Sequence, residues 1–325
     1  MNASPDHEPS LATLQNVVSG TDREAIASAI AYYTNTVRPN RYTGAHSTGP
    51  LEQLATTGIV RMPFRVPEAA CKDLVDYFLA TPCHNAHSVA YGDGSVGLPL
   101  KDTHGWPYGS YTLEQTLKAP ALIELALKEE LLDLIGGYLG CLPTLYSINT
   151  FWTFPRPEAG VTHKYHRDED DYRFLAVFVF WTDVSVGEGD FVFVPETHTA
   201  GAIRRRSQRQ SLRFWQRKDG LTLDHFRRSR GSIAYEDDES FHALISPSAQ
   251  RFDGPAGTVH CGDTFGIHKG TPPATKPRLS TWLRYGLGEN MATGIDKAPP
   301  LPVDILGGRV TLDEQTRHIC RLLIR

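Results

Sequence analysis

His166 and Asp168, in the stretch "VTHKYHRDEDD" (161–171), are the residues whose types and spacing most clearly could do chemistry. On an extended chain alternate residues share a face, so the imidazole and the carboxylate can converge on one point while Arg167 points away. A ligand pair of this kind suits a non-haem Fe(II) centre, which takes two histidines and one carboxylate and leaves its other positions open. The expected third ligand is His268, at the end of a strand in "GDTFGIHKGTPPATKPRLSTWLRYG" (262–286), with His260 as the alternative. Ten residues after His268, Arg278 opens the next strand. If those two strands are neighbours, Arg278 lies behind the metal, where its planar fork can hold a carboxylate through two parallel hydrogen bonds, and Ser280 shares its face. Such a triad beside an Arg-x-Ser clamp describes a site for 2-oxoglutarate, with the keto acid end on the metal and the far carboxylate on the arginine.

The other ionisable groups nearby have plainer readings. His163 falls on the opposite side of a regular strand and reads as a surface or second-layer residue. Asp170 and Asp171 lie past the point where strand register is secure, so they are expected in water. His198 either closes a turn or touches substrate.

These residues need elements to position them. Apolar residues at three-to-four spacing predict helices over residues 10–35, 67–80, 112–118 and 121–139, the last closing on Gly140. Residues 1–140 therefore read as mainly helical. Beyond Pro143 the runs "TLYSINTFWTF", "FLAVFVFWTDV", "DFVFVP", "GTVHCGDTFGIH" and "LSTWLRYGL" are short, aromatic and β-branched, with Gly, Pro and acidic turns between them. They predict a double-sheet antiparallel barrel. The expectation is one α+β domain over 1–325: a double-stranded β-helix (jelly-roll, cupin-like) core at 143–287 with the helical N-terminal segment packed on it. Residues 199–256 are too polar for core and too long for a turn, and are expected to form an insert or lid. Between Arg204 and Arg230 this insert carries ten basic residues against two acidic ones. That pattern is either a solvated helix neutralised by the following "EDDE" (236–239) or a lid recognising a phosphate or carboxylate.

Bulk properties narrow the class. A net charge of −4 provides no global positive field, so neither nucleic acid nor an anionic membrane is the expected partner. Five scattered cysteines without paired spacing point to free thiols in a reducing compartment. No leader-like N-terminus and no apolar run of membrane-spanning length is present, so a cytoplasmic location is expected.

Residues 143–287 resemble the phytanoyl-CoA dioxygenase family of Fe(II)/2-oxoglutarate-dependent oxygenases. "YHRDEDD" matches the family's H-x-D, and "FWTDVSVGEGDFVFVPETHT" resembles its tryptophan strand and following turn. "GDTFGIHKG" with "PRLSTWLRYG" resembles its distal histidine and arginine, and "ALIELALKEELLDLIGGYLG" resembles the segment before its barrel. The resemblance implies iron on His166, Asp168 and His268, 2-oxoglutarate on Arg278 and Ser280, dioxygen as the oxidant, and Trp181 and Asn149 near the co-substrate. Related halogenases carry a small residue in place of the carboxylate, so Asp168 implies hydroxylation of an unactivated C–H bond, with desaturation or ring closure as variants. The turn Pro195-Glu196-Thr197-His198 and the arginine-rich insert depart from the family pattern. Arg167, His198, Arg204 and Arg205 are the candidate contacts to a small-molecule substrate, which could be anionic or a natural-product or carbohydrate intermediate. The competing readings are a non-catalytic cupin-like metal- or sugar-binding barrel and a zinc hydrolase; the latter leaves Arg278 without a role.

Overall fold

Helix boundaries fall where capping chemistry puts them. The computed structural model describes residues 20–85, 97–103, 105–155, 163–209, 246–288 and 299–325. Helix α1 (Gly20–Val37) is the described part of the helix expected over 10–35, and α2 (Thr48–Thr57) follows it. Helix α3 (Glu68–Ala80) starts after Pro67 and buries Cys71, Leu74 and Phe78. At the head of α4 (Leu113–Lys118) the Thr112 hydroxyl accepts from the Gln115 amide while the Gln115 side chain accepts from the Thr112 N–H, so two end donors are satisfied reciprocally. The single helix expected over 121–139 is two, α5 (Leu122–Ala126) and α6 (Glu129–Leu139), interrupted at Leu127 and Lys128. Gly140 ends α6 at φ 76°, a left-handed position that favours glycine.

Nine described strands form two antiparallel sheets. β1 (Ile59–Arg65), β2 (Tyr108–Ser110), β3 (Thr144–Thr153), β4 (Phe174–Phe180), β7 (Thr258–Gly262) and β9 (Arg278–Gly286) make the larger, in the order β1-β7-β4-β9-β3-β2. β5 (Phe191–Phe193), β6 (Gln250–Phe252) and β8 (His268–Gly270) make the smaller, in the order β6-β5-β8. The edge strands β1 and β2 come from the part of the chain read as mainly helical, so the sheet reaches outside 143–287. β8 and β9 are not hydrogen-bonded neighbours as the sequence reading supposed; they lie in different sheets.

β4, in the middle of the larger sheet, is buried on both faces, which explains why "FLAVFVF" is apolar without interruption. On β4, Leu175, Val177 and Val179, followed by Trp181, join the core shared with the helices, while Ala176, Phe178 and Phe180 face the smaller sheet. β9 splits the same way: Leu279, Leu283 and Tyr285 enter the helical core, and Arg278, Ser280, Trp282 and Arg284 turn to the other side. Each fully buried Leu or Phe contributes about 2 kcal/mol of transfer free energy, so a one-residue slip of register is strongly disfavoured. The smaller sheet has its own tie. Asp190, fully buried, accepts two bonds from the Arg251 fork (2.7 and 2.9 Å) and one from the Thr271 hydroxyl (2.6 Å). Helix α7 (Ala200–Arg209) opens the 199–256 insert, and residues 210–245, with "EDDE" and most of the basic run, lie outside the described residues. Helix α8 (Glu314–Cys320), capped by Asp313, packs against β3. Among the described residues no helix is long and apolar enough to cross a membrane.

Candidate active site

His166 and His268 are brought together by a two-residue antiparallel bridge in which each N–H donates to the other's carbonyl, at 2.9 and 3.0 Å. Asp168 joins them because its N–H donates to the Thr264 carbonyl (2.9 Å), which fixes the chain two residues beyond His166. The result is a cluster in which one ligand atom from each of His166, Asp168 and His268 lies within 4.8 Å of the others. His166 Nε2 is 3.7 Å from one carboxylate oxygen and His268 Nε2 is 3.7 Å from the other.

The far nitrogens test whether the cluster suits a metal. His166 Nδ1 lies 2.7 Å from the Lys164 carbonyl and His268 Nδ1 lies 2.9 Å from the Gly266 carbonyl. A carbonyl can only accept, so each Nδ1 carries the proton and each Nε2 presents its lone pair inward, the tautomer a metal requires. Burial, reinforced by neighbouring His166, pushes the His268 imidazole down to about 4, so it is neutral at physiological pH. Burial pushes the Asp168 carboxyl up, but at the low pH where it titrates the positive fields of His268, Arg284 and His166 outweigh burial and hold the group below the usual carboxylate range. Two imidazole nitrogens and one carboxylate, open on one side, fit a non-haem iron.

The cluster opens into a cavity of about 230 Å³, roughly the space of eight water molecules. Its far pole is Arg278 on the larger sheet. The guanidinium donates to the Gly189 carbonyl and to Thr153 Oγ1 (3.0 Å), while its Nε and the Ser280 Oγ are buried without a hydrogen-bond partner. Burial pushes Arg278 down to about 10, with only Tyr108 and Asp190 acting against it. A buried cation that makes no ion pair within 4 Å among the described residues and a buried hydroxyl with no partner are the marks of a subsite that an anionic ligand completes. Between the poles the wall is aromatic: Phe151, Phe178, Phe180, Phe191 and Trp282.

No protein-family model matches the sequence, and no curated protein matches it. Solved structures match in fold. EctD from S. alaskensis, determined with 2-oxoglutarate and 5-hydroxyectoine, aligns with a TM-score of 0.50 and 15% identity over 76% of this chain and 78% of that one. This chain has the fold of EctD. Two further structures align at lower scores. SnoN, a non-heme alpha-ketoglutarate-dependent epimerase from nogalamycin biosynthesis, gives a TM-score of 0.48 with 17% identity over 74% of this chain and 83% of its own. HygX from Streptomyces hygroscopicus, with nickel, 2-oxoglutarate and hygromycin B bound, gives 0.46 with 16% identity over 74% and 86%.

Within this EctD-like fold the remaining expected residues are placed unevenly. Trp181 is turned away from the cavity: fully buried in the helical core, it donates from Nε1 to Thr281 Oγ1 (2.7 Å), and the indole in the cavity is Trp282. The cause is parity, since 181 shares the core-facing side with Val177 and Val179. Asn149 has the parity of Phe151 and Thr153 and pairs with Trp282 on β9, yet it is not among the cavity-lining residues. Arg167 is buried, with Nη2 donating to the Thr197 carbonyl (3.1 Å) and its guanidinium over the Phe265 ring, away from the cavity. His198 lies in a separate groove, its Nε2 3.3 Å from the Ala55 carbonyl, and burial lowers its imidazole. Arg204 and Arg205 are exposed on α7 and do not line the cavity, whereas Arg206 is buried and donates to the Pro195 carbonyl (2.6 Å). In the turn after Pro195, Glu196 sits at φ 63°, a region glycine favours.

Three expectations about charge are corrected. His163 is buried and lines the cavity with Tyr108. Asp170 is buried and accepts from Tyr146 (2.8 Å) and Arg284 (3.1 Å). Asp171 is buried and accepts the N–H groups of Tyr172, Leu287 and Gly288, with burial pushing it up to about 6. The alternative ligand His260 is remote from the cluster, packed against Phe180 and Phe252. The sequence reading missed Thr153, Tyr108 and Arg284. Thr153 and Arg284 carry a signal in hindsight, since polar residues alternate with bulky ones on strands that are otherwise apolar.

Proposed function

We propose that this chain is an Fe(II)- and 2-oxoglutarate-dependent oxygenase that oxidises an unactivated C–H bond of a small molecule, with hydroxylation as the outcome. The observation that carries the reading is one cavity with His166, Asp168 and His268 at one pole and Arg278 with Ser280 at the other. In this reading the jelly-roll core holds the cofactors and the EctD structure of the same fold, which contains 2-oxoglutarate, supports the assignment. Iron, 2-oxoglutarate and dioxygen would supply the oxidising power, converting the co-substrate to succinate and carbon dioxide.

The chain's own residues do the rest. His166 and His268 are held by the Lys164 and Gly266 carbonyls, which fix both rings with Nε2 turned toward the metal side. Asp168 supplies the one negative charge of the ligand set. Arg278 neutralises the far carboxylate of the co-substrate, with Ser280 as the second donor, and the aromatic wall excludes water from the reacting carbon.

The substrate is proposed to be a small natural product or carbohydrate intermediate, with any anionic recognition left to Arg284, which lines the cavity and also donates to Asp170. A barrel that binds metal without catalysis would not need the buried Arg278 and Ser280 donors. The test is oxygen uptake and succinate formation from 2-oxoglutarate by iron-loaded protein. The parent should turn over co-substrate slowly even without substrate, and His166→Ala should abolish it. Equal turnover by the variant would remove the proposal.

A further inference from the structure

Phe265 sits in the turn between Asp263 and His268, and two guanidinium groups lie over its ring. The Arg23 guanidinium of α1 lies 3.5 Å from the ring centroid and the Arg167 guanidinium 4.9 Å from it. Both arginines are anchored: Arg23 donates to the Asp171 carbonyl and Arg167 to the Thr197 carbonyl. Thr197 in turn accepts the Ile267 N–H at its hydroxyl (2.8 Å).

The residues flanking Phe265 orient two of the three ligands. The Thr264 carbonyl accepts the Asp168 N–H, and the Gly266 carbonyl accepts His268 Nδ1. The turn is fastened from α6 as well, where the Tyr138 hydroxyl donates to Asp263 (2.6 Å) and Asp263 accepts the Phe265 N–H (3.1 Å). There is little slack: a Cβ on Gly266 would come within 2.3 Å of the Phe193 ring. A guanidinium over an aromatic ring is attracted to it, and two such contacts tie the turn to the N-terminal helix through Arg23 and to the chain segment carrying His166 and Asp168 through Arg167.

We propose that Arg23 is a positioning residue for the metal ligands, acting through Phe265 and Arg167 on the turn whose carbonyls set Asp168 and His268. The helix that bears it is thereby part of the machinery of the site and not only a cover for the sheet. The inference rests on the metal reading above, and the experiment separates the two.

Metal affinity of the full-length protein is measured anaerobically by chelator competition with Fe(II), and ligand geometry by the visible absorption of the Co(II) form. Arg23→Met keeps the stem and removes the charge. It should weaken metal binding about 10- to 100-fold, the usual loss for an outer-layer partner, and shift the Co(II) bands. Phe265→Leu should behave alike, while Arg23→Lys and Phe265→Tyr should recover most of the affinity. Leu74→Ala, in the core under α3, serves as a variant destabilised to a similar melting temperature and should leave metal affinity within twofold. Arg23→Met binding within twofold of the parent, or Leu74→Ala losing as much affinity, overturns the positioning role. A parent that binds no metal overturns both this role and the proposed function.

Discussion

Arg278→Met isolates the charge at the far pole, because methionine keeps the apolar stem and fills much of the same space. In the parent the guanidinium is buried, with its Nε and the Ser280 hydroxyl facing unmet needs. A carboxylate there gains two charge-assisted bonds of about 1.5–3 kcal/mol each, and the variant retains only the Ser280 contact. A net loss of about 3 kcal/mol corresponds to about 150-fold in the dissociation constant of 2-oxoglutarate. At a co-substrate concentration 100 times the parent constant, the parent is stabilised by about 2.7 kcal/mol and the variant by about 0.3 kcal/mol. For a chain of this size those figures translate to melting shifts of about 5 °C and under about 1 °C. Without ligand the variant should melt close to the parent. Removing the charge relieves a buried cation whose ionisation is already pushed down to about 10, which offsets the donors lost by Gly189 and Thr153. The assay is an anaerobic titration of iron-loaded protein, following the visible charge-transfer band of the chelated keto acid, with parallel melts. Parent affinity should be flat between pH 7 and 9. It should fall about tenfold per unit above about 10, as the free guanidinium loses its proton before the anion can pair with it. A variant binding within threefold of the parent would refute the clamp.

Other substitutions test other parts of the structure. Trp181→Phe removes the bond to Thr281 and should cost about 2–3 kcal/mol in urea denaturation while leaving 2-oxoglutarate affinity unchanged; weakened co-substrate binding in folded protein would return Trp181 to the site. Gly189→Ala forces a Cβ into a left-handed backbone (φ 94°) and to 2.9 Å from Arg278 Cδ, so co-substrate affinity should fall at least tenfold; unchanged binding in the titration would show that Arg278 can shift freely. Asp171, raised to about 6, contributes stability that is full below about pH 4 and lost as pH rises through 6; relative to Asp171→Asn the parent should therefore lose about 3 kcal/mol between those limits, read by denaturation at each pH. Asp168→Ala removes the only charged ligand and should abolish tight iron binding in the chelator assay, and retained binding would point to another carboxylate.

The chemistry was more legible than the architecture around it. His166, Asp168 and His268 could be read together because alternation places 166 and 168 side by side, and Arg278 with Ser280 because alternation holds along β9. Trp181 was placed near the co-substrate by the resemblance alone, and its parity with Val177 and Val179 puts it in the helical core instead. β1 and β2 were missed for a different reason. "IVRMPFR" is short and interrupted by proline, and "YGS" has no pattern of its own, so each is a strand only because the larger sheet offers an edge to pair with. Asp170 and Asp171 were placed in water because strand register is not secure past Asp168, and no local signal tells an acid in a solvated loop from one receiving Tyr146, Arg284 and three backbone donors across the fold.

The His166–His268 bridge joins residues about a hundred positions apart, and among the described residues nothing nearer in sequence completes the ligand set. Closing so long a loop carries an entropic cost that is recovered only when the intervening strands are already in place. Chains released early or stalled in folding therefore hold His166 and Asp168 without a third donor and should bind iron poorly. On the proposed function, competence to take up a redox-active ion would arrive as one of the last events of folding, and tight iron binding would certify the tertiary structure.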